Sequence, residues 1–370
     1  MKVAVNTTNI HAGGALQVAI SFLYELTLIK DTDVSIVDVY VSTEIDEGLK
    51  RLNVDTSVFK TYSTYDTHGI LALFSPLNKV LRGFDVIYTL FGPNYLFTKA
   101  RVNIVGFAQM WMLDFSNPIS ERMPTLKRCL LWFKYYIQWR FFERADFYIV
   151  ELEHVKNKLM SVKKVNSSKI FIVHNTISSI YDNPKFWQPV NINKEDGVIT
   201  LGLPSRDYPH KNLDIMPLVS IKLKAKYDFE VRFAVTLNEL EWSTKSEIFK
   251  TYVVNVGELT PEQCPSFYQK LDGVFFPSLL ECFSATPLEA MAMGKPIFAS
   301  DRDFVRDVCM SHACYFDPTD IDNVADVIFY HYSQNDFGDS ALSEASSHAH
   351  NFSSARNRAE KYLSIMLSNI

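Results

Sequence analysis

No run of about eighteen uncharged apolar residues occurs anywhere in the chain, so no segment is expected to cross a membrane as a helix. The amino terminus, Met1-Lys2-Val3-Ala4-Val5-Asn6, is too short an apolar run to read as a signal peptide. A basic excess is missing as well: 37 Lys and Arg stand against 42 Asp and Glu, a net charge of −5. That balance argues against a general nucleic-acid binder, which needs clustered cations to meet phosphates. Cysteine is sparse and unpatterned. Cys129, Cys264, Cys282, Cys309 and Cys314 are odd in number and show no Cys-x-x-Cys spacing, so reduced thiols in a cytoplasmic protein are the expectation. No internal repeat or low-complexity segment is present.

What is present describes a folded protein. Hydrophobic residues make up 47% and charged residues 21%, and 370 residues suffice for two domains with separate cores. Short apolar runs alternate with helical patterns. Val3–Val5, Val34–Val41, Val86–Thr89, Val102–Phe107, Phe147–Val150 and Ile170–Val173 read as buried strands, and Ala15–Leu28 as a helix behind the first. Periodicity lapses from Ser178 to Asp196, with Pro184 and Pro189, which marks a linker. Strands resume at Gly197–Gly202, Glu230–Thr236, Tyr252–Val256, Gly273–Phe276 and Pro296–Ala299. The fold class expected is α/β, with two doubly wound, Rossmann-like domains of parallel strands. Residues 1–185 form the first and 196–350 the second. The helix from Ser354 to Leu367, within 351–370, carries one apolar face. Ligands of such sheets sit at the carboxyl ends of strands.

The most informative stretch is Glu281-Cys282-Phe283-Ser284-Ala285-Thr286-Pro287-Leu288-Glu289, followed by Ala290-Met291-Ala292-Met293-Gly294-Lys295-Pro296. It follows a strand and opens a helix, with Thr286 as expected N-cap, Pro287 in the first turn and Gly294 at the end. Free amides at a helix start suit an anion such as a diphosphate. A carboxylate on each side can hold hydroxyls, the layout of a nucleotide sugar. The plainer reading is a surface helix with two solvated glutamates. Arg206 and Lys211, five apart in Arg206-Asp207-Tyr208-Pro209-His210-Lys211, follow another strand and can converge on one diphosphate. Read without that context they are two exposed cations.

These elements resemble the donor site of retaining glycosyltransferases of the GT-B fold, glycosyltransferase family 4, of the bacterial polysaccharide-assembly type. The resemblance is specific from about residue 200 to 300. It implies two Rossmann-like domains facing across a cleft, with the carboxyl-terminal helix packing back toward the amino-terminal domain. Glu281 then lies by the donor sugar, Glu289 binds the ribose, and Arg206 and Lys211 hold the leaving diphosphate with the amides of Ser284, Ala285 and Thr286. Gly13 and Gly14 resemble a loop facing that diphosphate, although a Gly-Gly pair is also an ordinary turn. Gln109 stands near the place of a histidine that often contacts the sugar. Cys282, Ser284, Ala285 and Thr286 depart from the common Gly, Gly, Leu and Pro, which leaves the sugar unnamed. The resemblance further implies no metal and no cofactor beyond a nucleotide-diphosphate sugar donor. The expected partners are that donor and a glycan or lipid-linked acceptor, and the expected pathway is O-antigen or capsule synthesis. A non-catalytic sugar-nucleotide or glycan-binding protein on the same scaffold is the alternative.

Residues 122–144 interleave aromatics and cations: Lys127, Arg128, Trp132, Phe133, Lys134, Tyr135, Tyr136, Trp139, Arg140, Phe141 and Phe142. Two readings stay open. The stretch is either a helix lying on an anionic membrane surface, placing the protein at the inner face of the plasma membrane, or a core helix with a basic outer face.

Overall fold

The computed structural model describes residues 2–29, 34–334 and 336–368. The chain divides into two compact units. The first comprises residues 1–115, 123–175 and 353–370, and the second 116–122 and 176–352. The expected boundary inside 178–196 therefore moves upstream. The aperiodic stretch packs onto the second unit, where Gln188 N–H donates to the Glu262 carbonyl at 2.9 Å and Tyr181 meets the Tyr268 ring at 6.1 Å.

The first unit is built on a seven-stranded sheet in the order β3-β2-β1-β4-β5-β6-β7. Its strands are β1 Val3–Thr7, β2 Val37–Val41, β3 Thr61–Thr64, β4 Val86–Thr89, β5 Val102–Gly106, β6 Phe147–Val150 and β7 Ile170–Ile172. Every neighbouring pair is parallel. The mainly apolar sequences of β1, β2 and β4 follow from burial on both faces, since a parallel sheet must be covered on each side. Val34–Ile36, expected as strand, forms a 3-10 turn leading into β2.

The second unit carries a six-stranded sheet, β10-β9-β8-β11-β12-β13. Its strands are β8 Ile199–Leu203, β9 Val231–Val235, β10 Val253–Asn255, β11 Gly273–Phe276, β12 Ile297–Ser300 and β13 Cys314–Phe316, again all parallel. Counted within its unit, each sheet has the doubly wound order in which the chain starts at the centre, winds to one edge and returns to wind to the other. That reversal leaves a crevice at the carboxyl ends of β8 and β11.

The helix Ala355–Ser368 belongs to the first unit and lies along the helix Gly13–Leu28. Ala359, Tyr362 and Met366, at i, i+3 and i+7, form its buried face. Tyr362 meets Phe22 edge-on at 5.0 Å and Tyr88 at 5.3 Å. Arg358 is almost wholly buried in the same seam. Its guanidinium donates to Asn175 Oδ1 and, at 2.9 Å, to Ser21 Oγ, while Asn175 Nδ2 donates to Glu151 Oε1 at 2.9 Å. Burial pushes the Glu151 carboxyl up to about 7, against the pull of the Asn175 amide and the Arg358 charge. Between pH 4.5 and 7 the folded chain thus holds a proton that the unfolded chain has released, so stability falls across that window. Glu151→Gln keeps an acceptor for Asn175 and removes the titration. Its stability should exceed that of the unaltered chain by about 3 kcal/mol at pH 8 and match it near pH 4. Denaturant melts at the two pH values check this.

Candidate donor-binding site in the second unit

Two loops at the carboxyl ends of β8 and β11 build the site. The first runs from Pro204 to Asn212. Ser205 N–H donates to Thr236 Oγ1 at 2.9 Å, fixing the loop's start to the end of β9. At its end Asn212 takes a left-handed backbone, φ 55°, and its side-chain amide donates to the Pro318 carbonyl at 3.0 Å. Leu279 N–H donates to the His210 carbonyl at 2.7 Å, which binds this loop to the one after β11.

The joining of the loops brings Lys211 and Glu281 together. Lys211 Nζ lies 2.8 Å from Glu281 Oε1, with the side chains 13% and 10% exposed, and 5.3 Å from the Phe276 ring centre. An ion pair with little water around it is electrostatically stronger than a surface pair, and an incoming anion competes for its cation. Arg206 is not part of this pair. It is 45% exposed, its Nε donates to both oxygens of Glu241 at 2.9 and 3.0 Å, and its Nη1 to Glu258 at 2.6 Å. Glu258 is itself exposed, and solvent-facing pairs contribute about 0–1 kcal/mol, so a phosphate can replace this carboxylate at small cost. His210 stacks on Tyr208 at 5.5 Å, and burial holds its pKa below the usual value, which keeps the ring neutral between two charged neighbours.

The second loop runs from Pro277 to Ala285 and enters the helix Thr286–Ala292. Thr286 is not its N-cap. Ala285 occupies that position with a helical backbone, Thr286 is the first helical residue, and no side chain caps the end. With no oxygen available from alanine, the first-turn amides lack the usual internal acceptor, a stronger invitation to an anion than the capped helix expected. Glu289 sits one turn in, and Tyr268 Oη donates to its Oε2 at 2.8 Å. Burial raises the Glu289 pKa, opposed by the Tyr268 and Tyr181 hydroxyls and by the Lys211 charge.

Several residues of this constellation escaped the sequence reading. Lys245, 7% exposed, bonds Asp207 at 2.7 Å and Asp214 at 2.9 Å, clamping the Arg206–Lys211 loop at both ends. Glu241 closes a capping box with Asn238 and holds Arg206 at the same time. The capping pattern Asn-x-x-Glu is legible in sequence; its second task is not. Gly13, Gly14 and Gln109 lie in the first unit. Gly13, φ +72°, opens the helix Gly13–Leu28, and a side chain at either glycine would meet open space. Gln109 precedes the short turn Met110–Met112 and is partly exposed.

Comparison with known proteins agrees with this geometry. Residues 190–340 match the family model described as Glycosyl transferases group 1. The O-antigen chain mannosyltransferase RfbU of Salmonella typhimurium is 24% identical over 172 residues, a match spanning 45% of this chain and 45% of that protein. Among solved structures, a glycosyltransferase from Rickettsia africae is 14% identical with a TM-score of 0.68, covering 100% of this chain and 98% of that one. Anabaena Alr3699/HepE, solved with UDP, is 13% identical at TM-score 0.65, and WaaG, a glycosyltransferase of lipopolysaccharide biosynthesis, 12% at 0.66. Both alignments cover 100% of each chain. At such identities the likeness shows the fold, which is that of GT-B glycosyltransferases: two parallel-sheet, Rossmann-like units. Arg206, Lys211, Glu281 and Glu289 all lie within the segment that matches the glycosyl transferases group 1 model.

Proposed function

We propose that the chain is a retaining hexosyltransferase that moves a sugar from a nucleotide-diphosphate donor to a glycan or lipid-linked acceptor in bacterial surface polysaccharide assembly. The observation that carries this reading is the enclosed Lys211–Glu281 pair, set on the two loops that meet at the crevice of a group 1 domain. The O-antigen activity named for the RfbU relative supports the pathway.

The chemistry follows from charge. As the glycosidic bond breaks, negative charge gathers on the leaving diphosphate, and Lys211, Arg206 and the amides at Ser284, Ala285 and Thr286 stabilise it. These groups provide the neutralisation a divalent ion would otherwise provide, so transfer is metal-independent. Freed from its cation by the diphosphate, Glu281 orients the sugar and supports its developing positive charge. The acceptor hydroxyl attacks from the face the diphosphate leaves, which retains configuration. Glu289 holds the ribose hydroxyls, its position fixed by Tyr268.

A thermal-shift panel of nucleotide sugars tests the reading. A donor at 100 times its dissociation constant adds about 2.7 kcal/mol of stability. Acceptor-free donor hydrolysis then separates an enzyme from a binding protein, and the anomeric configuration of the product tests retention. Stabilisation without hydrolysis or transfer would favour the non-catalytic alternative.

The same reading places the protein in the cytoplasm, at an anionic membrane surface reached through the helix Thr125–Phe142. Leu126, Leu130, Phe133 and Tyr136 are exposed, and Trp132 is 53% exposed, beside exposed Lys127 and Lys134. Exposed rings and aliphatics ringed by cations suit the headgroup layer. No helix among the described residues is long and apolar enough to cross a membrane. Vesicles containing anionic lipid should sediment the protein and release it at moderate salt, and Trp132→Ala with Phe133→Ala should weaken binding at least tenfold without lowering the melting temperature. Equal binding to neutral vesicles would refute the electrostatic part.

A further inference from the structure

Three neighbouring strands of the first unit end in loops that converge. His11 follows β1, Glu44 lies in the first turn of the helix Thr43–Arg51 after β2, and Asp66 follows β3. His11 Nδ1 stands 2.8 Å from Glu44 Oε2 and 3.9 Å from Asp66 Oδ1, and one donor atom from each residue falls within 4.8 Å of the other two. From this convergence we propose a divalent transition-metal site, of the zinc type, held by His11 Nδ1, Glu44 and Asp66.

Three features support it. Bonds of about 2.0–2.2 Å from a tetrahedral ion to nitrogen and oxygen place neighbouring ligands about 3.3 Å apart, and the two histidine–carboxylate separations bracket that spacing. The far nitrogen of the ring, His11 Nε2, lies 3.1 Å from the Thr67 carbonyl. With the Nε2 proton held on that carbonyl, an ion that displaces the proton Nδ1 shares with Glu44 finds the Nδ1 lone pair already aimed at it, the arrangement that orients ligating histidines. Asp66 is itself held: Thr43 N–H donates to its Oδ1 at 2.9 Å and Thr43 Oγ1 to its Oδ2 at 2.6 Å, as supported carboxylate ligands are. A fourth position stays with water or with His68, whose ring stacks on His11 at 4.2 Å. One nitrogen with two carboxylates selects Zn²⁺, Co²⁺ or Mn²⁺ over Ca²⁺, which prefers six to eight oxygens. An ion there would lock together the loops after β1, β2 and β3, and with them the Gly13-Gly14 turn two residues beyond His11. The inference concerns the first unit alone and does not depend on the donor-site reading.

Calorimetric titration of the chelator-treated, full-length protein with Zn²⁺ tests it, in buffer with 150 mM salt, with Co²⁺ absorption as a second readout. The expected result is one site of micromolar or tighter affinity in the unaltered chain. Affinity should fall at least thirtyfold in His11→Ala and in Glu44→Gln, and a Co²⁺ visible band should disappear on adding Zn²⁺. Replacing His312 and His348, whose rings lie 5.1 Å apart in the second unit, should leave that affinity unchanged. Should His11→Ala fail to fold, Glu44→Gln and the Co²⁺ band of the unaltered protein carry the test. Millimolar affinity in the unaltered chain, or binding that survives Glu44→Gln, would overturn the proposal.

Discussion

Lys211→Ala is expected to lower kcat/KM by about 30- to 1000-fold, or about 2–4 kcal/mol of transition-state stabilisation, the loss typical of one preorganised charge contact. The loss should fall on kcat, because diphosphate charge grows as the bond breaks. Two consequences follow from the 2.8 Å pair. Removing the ammonium takes this cation from Glu281 in an enclosed site, so a modest fall in melting temperature should accompany the kinetic loss. Lys211→Arg should recover only part of the rate, since a planar fork does not replace a point charge over the Phe276 ring. Glu289→Ala should act differently, weakening nucleotide binding while changing kcat little, because ribose contacts are alike in ground and transition states. Steady-state kinetics beside calorimetric nucleotide binding distinguish the two. Small, equal effects of both replacements on turnover and binding would remove Lys211 and Glu289 from the roles given them.

Trp139→Ala should cost about 3–5 kcal/mol of stability, and Trp132→Ala about 0.5 kcal/mol or less. The two lie seven residues apart on one helix, Trp139 on its buried face and Trp132 on its exposed one. Trp139 is 7% exposed and stacks on Tyr148 at 6.3 Å with rings 9° apart. It meets Phe107 edge-on, and its Nε1 donates to Glu143 Oε1 at 2.6 Å. The inward arc is Leu131, Tyr135, Trp139 and Phe142, at i, i+4, i+8 and i+11, narrow for a helix so rich in rings. Trp132 stacks only on Tyr136 among the described rings, on the outer face. Deleting the inner ring leaves a cavity; deleting the outer one exposes little new surface. Denaturant melts of both single variants decide it, and equal losses would contradict the assignment of faces.

The interior strands were legible in sequence, as were the edge strands β7 and β10, whereas the edge strands β3 and β13 were not. β1, β4, β8 and β11 are covered on both faces, so their residues read as mainly apolar runs. β3, Thr61-Tyr62-Ser63-Thr64, pairs on one side only, and its residues are partly exposed or exposed. β13, Cys314-Tyr315-Phe316, is three residues long and likewise pairs only with β12. With one side open, burial no longer dictates side-chain type, and the apolar signal fades. The site divides in a similar way. Arg206, Lys211, Glu281 and Glu289 could be picked out because strand-to-helix loops have local signatures. Lys245 and Tyr268 could not, since their value rests on contacts 31 to 38 and 21 residues away in sequence. Thr286 was misread as a cap because Thr-Pro so often begins a helix, whereas here the turn closes one residue earlier, at Ala285.

The route of the chain bears on its synthesis. The helix Ala355–Ser368 covers the Phe22 face of the first unit, yet the whole of residues 176–352 must leave the ribosome before that helix exists. At about 5–20 residues per second, the nascent first unit waits on the order of ten to thirty seconds with that apolar face uncovered. The second unit, whose chain is nearly continuous, can finish during the wait. An unfinished first unit is thus the form most exposed to chaperones and proteases. Premature stop codons anywhere after residue 352 should therefore injure the part of the protein translated first while leaving the group 1 domain able to fold.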